Sequence, residues 1–138
     1  LARQRQTSDS SQWSLPDNTH VLLLDDDPAI RDALSSLLRE WGAYVTACAT
    51  TREALQVDRR PDLLLIDYHL TDQHLSDQQV GTDAIELIRA RWASDIVAIL
   101  STADPNETIR EQVIEVGAHF LPKPVKQAAL KLKGIGFG

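Results

Sequence analysis

Methionine is absent from these 138 residues, and cysteine occurs once, at Cys48. A lone cysteine excludes an internal disulfide and is what a reducing cytoplasm permits, so a cytoplasmic setting is expected. Cys48 stands among small residues at the end of a short strand-like run, a setting for inert packing rather than redox chemistry. Long apolar runs are missing as well. No stretch reaches the 18 residues a membrane span needs, so no direct membrane contact is expected. Basic residues are the minority, 14 Lys and Arg against 20 Asp and Glu, for a net charge of −6. They are not clustered, which argues against direct binding of nucleic acid. The first stretch has no apolar core of the kind a signal peptide carries. Because the chain starts at Leu1 and holds no methionine, it is expected to be part of something longer.

What is present fits one domain with one core, since 43% of the residues are hydrophobic. Residues 1–18 are polar and aperiodic and read as a linker, ordered at most around Trp13 and Leu15. From there to about residue 133, short apolar strands alternate with amphipathic helices, and residues 134–138 form a tail. That alternation is the signature of an α/β domain, a doubly wound parallel sheet with helices on both faces. The spacing predicts strands at 20–25, 43–48, 62–66, 96–100 and 118–121. Helices are predicted from Pro28 to about Trp41, at 51–58 with Thr50 or Thr51 as cap, and at 81–92. Two more should run from Pro105 to Val116 and onward from Pro124. In the first helix the predicted inward stripe is Ile30, Leu34, Leu37 and Trp41. Strands one, three and four are continuous apolar runs, so both of their faces should be covered.

Four of these strands end in polar groups suited to a phosphoryl group. Val21–Leu24 runs into Asp25, Asp26 and Asp27, and Leu63–Ile66 into Asp67. Ile96–Leu100 runs into Ser101 and Thr102, and His119–Leu121 leads through Pro122 to Lys123. In open parallel sheets ligands bind outside the carboxyl ends of the strands, so all four groups should meet on one edge. Carboxylates crowded together raise one another's pKa, and a divalent cation relieves the conflict. All-oxygen ligands with room for water favour Mg2+. Asp27 also suits the cap of the helix that starts at Pro28. Asp67 is the candidate nucleophile, able to form an acyl phosphate; Lys123 supplies an ammonium and Thr102 a hydroxyl for the phosphoryl oxygens.

The segments LLLDDDP (22–28), DLLLIDYHL (62–70), AILSTAD (98–104) and AHFLPKPV (118–125) together resemble the receiver domain of two-component response regulators and hybrid histidine kinases. The resemblance covers about residues 20–133 and implies a single (βα)5 domain with the flavodoxin-like strand order 2-1-3-4-5. By position it makes Asp67 the phosphoacceptor, and makes Asp25, Asp26, Asp67 and the backbone carbonyl of His69 the Mg2+ ligands. Thr102 becomes the switch hydroxyl, Lys123 the lysine at the phosphoryl group, and Phe120 the aromatic whose rotamer follows phosphorylation. The Lys123–Pro124 bond matches a pair that is usually cis in the family. The implied donor is a histidine kinase or histidine-phosphotransfer domain, with a homodimer or a docked partner on the face of the fourth helix, fifth strand and fifth helix. The linker-like start favours a hybrid kinase, itself membrane-attached or not, over a response regulator as the parent.

Two features depart from the family pattern. TDQHLSDQQV (71–80) delays a glycine, Gly81, by roughly six residues, and the last helix is short and ends in Gly-Ile-Gly-Phe-Gly. Two other functions compete. A phosphohydrolase of the haloacid-dehalogenase type needs an acid two residues past the nucleophile, where this chain has His69. A phosphorylation-independent pseudo-receiver would have lost the acceptor, an acidic ligand or the lysine, and all are present. His69, Asp72, His74 and Asp77 could form a transition-metal cluster, but a solvated loop explains them without strain.

Overall fold

The computed structural model describes residues 15–70, 80–104 and 106–135, without the side chains of 132–135. Five parallel strands form one sheet in the order 2-1-3-4-5: β1 (His20–Leu24), β2 (Tyr44–Cys48), β3 (Leu63–Asp67), β4 (Val97–Thr102) and β5 (His119–Pro122). Five helices connect or follow them: α1 (Pro28–Glu40), α2 (Thr51–Leu55), α3 (Gly81–Trp92), α4 (Glu107–Glu115) and α5 (Gln127–Ile135). The expected doubly wound (βα)5 architecture is therefore present.

The continuous apolar runs supply both faces at once. Leu22, Leu24, Leu64 and Ile66 pack with Ile85 and Ile88 of α3 and Ile109 and Val113 of α4. Their neighbours Val21, Leu23, Leu63 and Leu65 point the other way, onto Leu34 and Leu38 of α1 and Leu130 of α5. Alternation along a strand sends successive side chains to opposite faces, so only an unbroken apolar run can satisfy a sheet covered twice. Leu15 belongs to the second cluster, and its N–H donates to Trp41 O at 2.8 Å. Residues 1–14 lie outside the described residues.

Several boundaries differ from the predicted ones, each for a local reason. In α1 the buried apolar residues are Leu34 and Leu38, followed by Trp41 at its C-cap, and Leu37 is half-buried. α2 stops at Leu55, whose carbonyl accepts from Arg91 Nε at 2.7 Å. α4 starts at Glu107 because Asn106 caps it, its side chain accepting the Ile109 N–H at 2.9 Å. α5 starts at Gln127, three residues past Pro124, and reaches Ile135. β4 continues through Ser101 and Thr102, which pair with Asp67 and Pro122. Polar residues thus extend the strand because the ladder on both sides still has partners to offer.

The nine residues 71–79 lie outside the described residues, and with them Asp72, His74 and Asp77 of the alternative metal cluster. The ends flanking them are joined, since His69 pairs with Val80 in an antiparallel bridge. Gly81 N–H then donates to Tyr68 O at 2.8 Å. The delayed glycine arrives beside the end of β3 regardless of the extra residues.

Candidate functional site

Asp25 follows β1 directly, Asp67 closes β3, Thr102 closes β4, and Lys123 stands one residue past β5. The strand order places β1 and β3 side by side at the centre, with β4 and β5 next. This is why four groups separated by nearly a hundred positions share one edge.

Ligand-capable oxygens of Asp25, Asp26 and Asp67 all lie within 4.8 Å of one another. Asp25 and Asp67 are buried and Asp26 half-buried. Lys123 Nζ joins the first two, 3.2 Å from Asp25 Oδ2 and 3.1 Å from Asp67 Oδ1. Burial, then the Asp25 charge, push the Asp67 carboxyl above the usual carboxylate range, and Lys123 opposes them. Burial alone would lower the Lys123 ammonium, but its bond to Asp67 and the charges of Asp67 and Asp25 hold it above the usual lysine range.

Asp27 is exposed and caps α1, its carboxylate accepting the Ala29 N–H at 2.9 Å, so it stands apart from the cluster. Its own N–H donates to Asp25 Oδ1 at 2.9 Å. Thr102 is fully buried. Its hydroxyl oxygen accepts the Asp104 N–H at 3.0 Å, which uses a lone pair and not the hydroxyl hydrogen. The Thr102 carbonyl accepts the Lys123 N–H at 2.9 Å, tying the two residues' backbones together. Phe120 is half-buried against the core, with the Arg110 guanidinium 5.0 Å from its ring centroid. The Lys123–Pro124 bond is cis.

The acidic donors fit a hard divalent cation. They are oxygens only, they converge, and burial and the Asp25 charge raise the Asp67 carboxyl even with Lys123 beside it. Among the described residues no other group of His, Cys, Asp or Glu is arranged to hold a metal.

Beside Lys123 lies an apolar groove of about 470 Å³, lined by Ala29, Ile30, Ala33 and Leu34 of α1 and by Pro124 and Val125. Sequence reading did not reveal it, since its two walls come from segments some 90 positions apart. Also missed was Arg31, whose side chain donates to the Asp25 carbonyl at 2.8 Å. No periodicity marks a contact between a helix side chain and the backbone of the preceding turn.

The family model for the response regulator receiver domain matches residues 21–133. The chain belongs to that family. It is 32% identical over 124 residues to the phosphate regulon transcriptional regulatory protein PhoB of Pseudomonas aeruginosa, covering 83% of this receiver chain and 50% of PhoB. The peroxide stress-activated histidine kinase mak3 of Schizosaccharomyces pombe is 29% identical over 116 residues, 80% of this chain and 5% of that one. The receiver chain thus spans half or less of these relatives. Its backbone superposes with a TM-score of 0.73 on a CheY-like receiver domain from Methanospirillum hungatei, at 24% identity and covering 88% and 97% of the two chains. The same score relates it to a chain in the co-crystal of the Saccharomyces cerevisiae histidine phosphotransfer protein Ypd1 with the receiver domain of Ssk1, at 19% identity and 88% and 90% coverage. No helix among the described residues is long and apolar enough to cross a membrane.

Proposed function

We propose that this receiver domain is a phosphoacceptor switch that takes a phosphoryl group from a partner's phosphohistidine onto Asp67. The observation that carries the reading is the single ammonium of Lys123 lying between the buried carboxylates of Asp25 and Asp67. A carboxylate oxygen of Asp67 attacks phosphorus as the phosphorus–nitrogen bond breaks. The histidine leaves with the bonding pair, and Asp67 becomes an acyl phosphate. Lys123, free to turn from Asp67 to the new group, meets charge on a phosphoryl oxygen, and the Thr102 hydroxyl donates to another. Asp25, Asp26, Asp67 and the His69 carbonyl would hold Mg2+, which when bound offsets the crowded carboxylates and favours the ionised, nucleophilic Asp67.

Drawing Thr102 toward the phosphoryl group vacates space at the end of β4. Phe120 turns into it, leaving Arg110, and the face made by α4, β5 and α5 changes. In this reading the domain assists its own phosphorylation and turns over no separate substrate.

Magnesium should stabilise the fold by binding the native acidic cluster, at tenfold excess over its dissociation constant by about 1.4 kcal/mol. Thermal melts with MgCl2 and with EDTA measure this. Asp26→Asn is expected to lose most of the shift, and a wild type without any shift would instead support a phosphorylation-independent module.

The apolar groove beside Lys123 suits the docking of the donor, because an apolar helix seated on α1 would set its histidine near Asp67. Ala33 is exposed in the groove wall. Ala33→Arg should therefore slow phosphotransfer from a phosphohistidine protein by about tenfold, the effect of roughly 1.4 kcal/mol of lost docking. Acetyl phosphate, a donor small enough to need no docking surface, should label both proteins at the same rate. Equal slowing with both donors would place the defect in the fold.

A further inference from the structure

We infer that Arg31 is a positioning residue for the Mg2+-binding turn, acting by holding the Asp25–Asp26 peptide from the first turns of α1. The inference rests on the magnesium reading above. Every polar atom of Asp25 has a partner. Its N–H donates to Cys48 O at 3.1 Å, Oδ1 accepts from Asp27 N–H, Oδ2 from Lys123, and its carbonyl from Arg31 Nη1 at 2.8 Å. The strand side of the residue is thus pinned by β2 and the loop side by α1. The carbonyl that Arg31 holds belongs to the peptide leading into Asp26. Fixing that peptide plane fixes ψ of Asp25 and the direction in which Asp26 leaves the strand.

The helix is built to deliver the guanidinium there. Asp27 caps α1, and Arg31 N–H donates to Asp27 O at 3.0 Å, so residue 31 sits one turn above the acidic stretch. A charged donor makes a stronger bond to a carbonyl than a neutral one. Partners of this kind orient metal ligands without touching the metal, and their loss costs affinity more than fold.

The test is calorimetric titration of MgCl2 into wild type, Arg31→Met, Arg31→Lys and Leu38→Ala, each checked for native circular dichroism. Methionine keeps an apolar stem and helix propensity but removes the donors; lysine keeps one charged donor. Leu38 is buried on the same helix, away from the acidic turn, and its truncation reports loss of stability alone. Arg31→Met is expected to bind Mg2+ about tenfold more weakly, Arg31→Lys within about threefold of wild type, and Leu38→Ala as wild type. Arg31→Leu, which likewise has no side-chain donor, supplies the same comparison if the methionine variant does not fold. Wild-type affinity in Arg31→Met, or equal weakening in Leu38→Ala, overturns the positioning role while leaving the magnesium site standing. A wild type that binds no Mg2+ overturns both.

Discussion

Gly81→Ala is expected to lower the unfolding free energy by about 2–3 kcal/mol, the cost of forcing atoms into a filled site. A Cβ at Gly81 would lie 2.6 Å from Asp67 O and 2.9 Å from Tyr68 Cα. Both are backbone atoms at the end of β3 and the residue after it, so no side-chain rotation relieves the overlap, and α3 must move away from β3. Alanine's conformational advantage over glycine in a helix is at most about 1 kcal/mol and does not offset this. The displacement falls on the Asp67 peptide, so Mg2+ affinity should drop together with stability. Urea unfolding followed by circular dichroism, with a parallel MgCl2 titration, measures both. Wild-type values would mean that α3 does not seat on the end of β3.

Lys123→Met is expected to destabilise the metal-free domain by about 3 kcal/mol at pH 7, because removing one partner leaves buried charge uncompensated. Asp25 and Asp67 would face each other with no ammonium between them. The Asp67 carboxyl already sits above the usual range in the presence of Lys123, and without it should rise further. A carboxyl raised in the folded state binds more protons folded than unfolded. Its destabilisation is therefore full above the folded pKa and disappears as pH falls through it toward the unfolded value. Much of the loss in Lys123→Met should accordingly be recovered on acidification, and part of it at neutral pH on adding Mg2+. Denaturant titrations at pH 7 and pH 5, with and without MgCl2, separate the two recoveries. A loss independent of both pH and Mg2+ would show that Lys123 acts by packing alone.

Much of this arrangement is legible in the sequence because it depends on runs and ends. The unbroken apolar stretches at 21–24 and 63–66 announce strands buried on both faces, and the clusters around them divide residue by residue as that requires. The polar residues after these runs, Asp25 and Asp67, come together because parallel strands share one carboxyl edge. Helix α3 falls on the predicted 81–92, where Ile85 and Ile88 are fully buried.

Where legibility fails, the deciding contact is tertiary. Leu37 and Leu38 fit the stripe of α1 equally by spacing, and packing against the sheet selects Leu38. Ser101 and Thr102 fall past the predicted strand 96–100, and β3 and β5 supply the ladder partners that extend it. By spacing, the extra residues 71–80 only delay Gly81. The His69–Val80 bridge and the Gly81–Tyr68 bond close the segment beside the end of β3. Arg31 leaves no trace in any pattern, since its partner is a backbone carbonyl that every sequence possesses.

The proposed switch depends on Asp67 accepting a phosphoryl group in a Mg2+-dependent reaction. It is tested most directly by intact mass after incubation with acetyl phosphate, for wild type and Asp67→Asn, with MgCl2 and with EDTA. A gain of about 80 Da, one phosphoryl group, is expected in wild type with Mg2+ only. A gain that persists in Asp67→Asn would contradict it. So would a wild type that binds Mg2+ yet shows neither the gain nor a beryllofluoride complex.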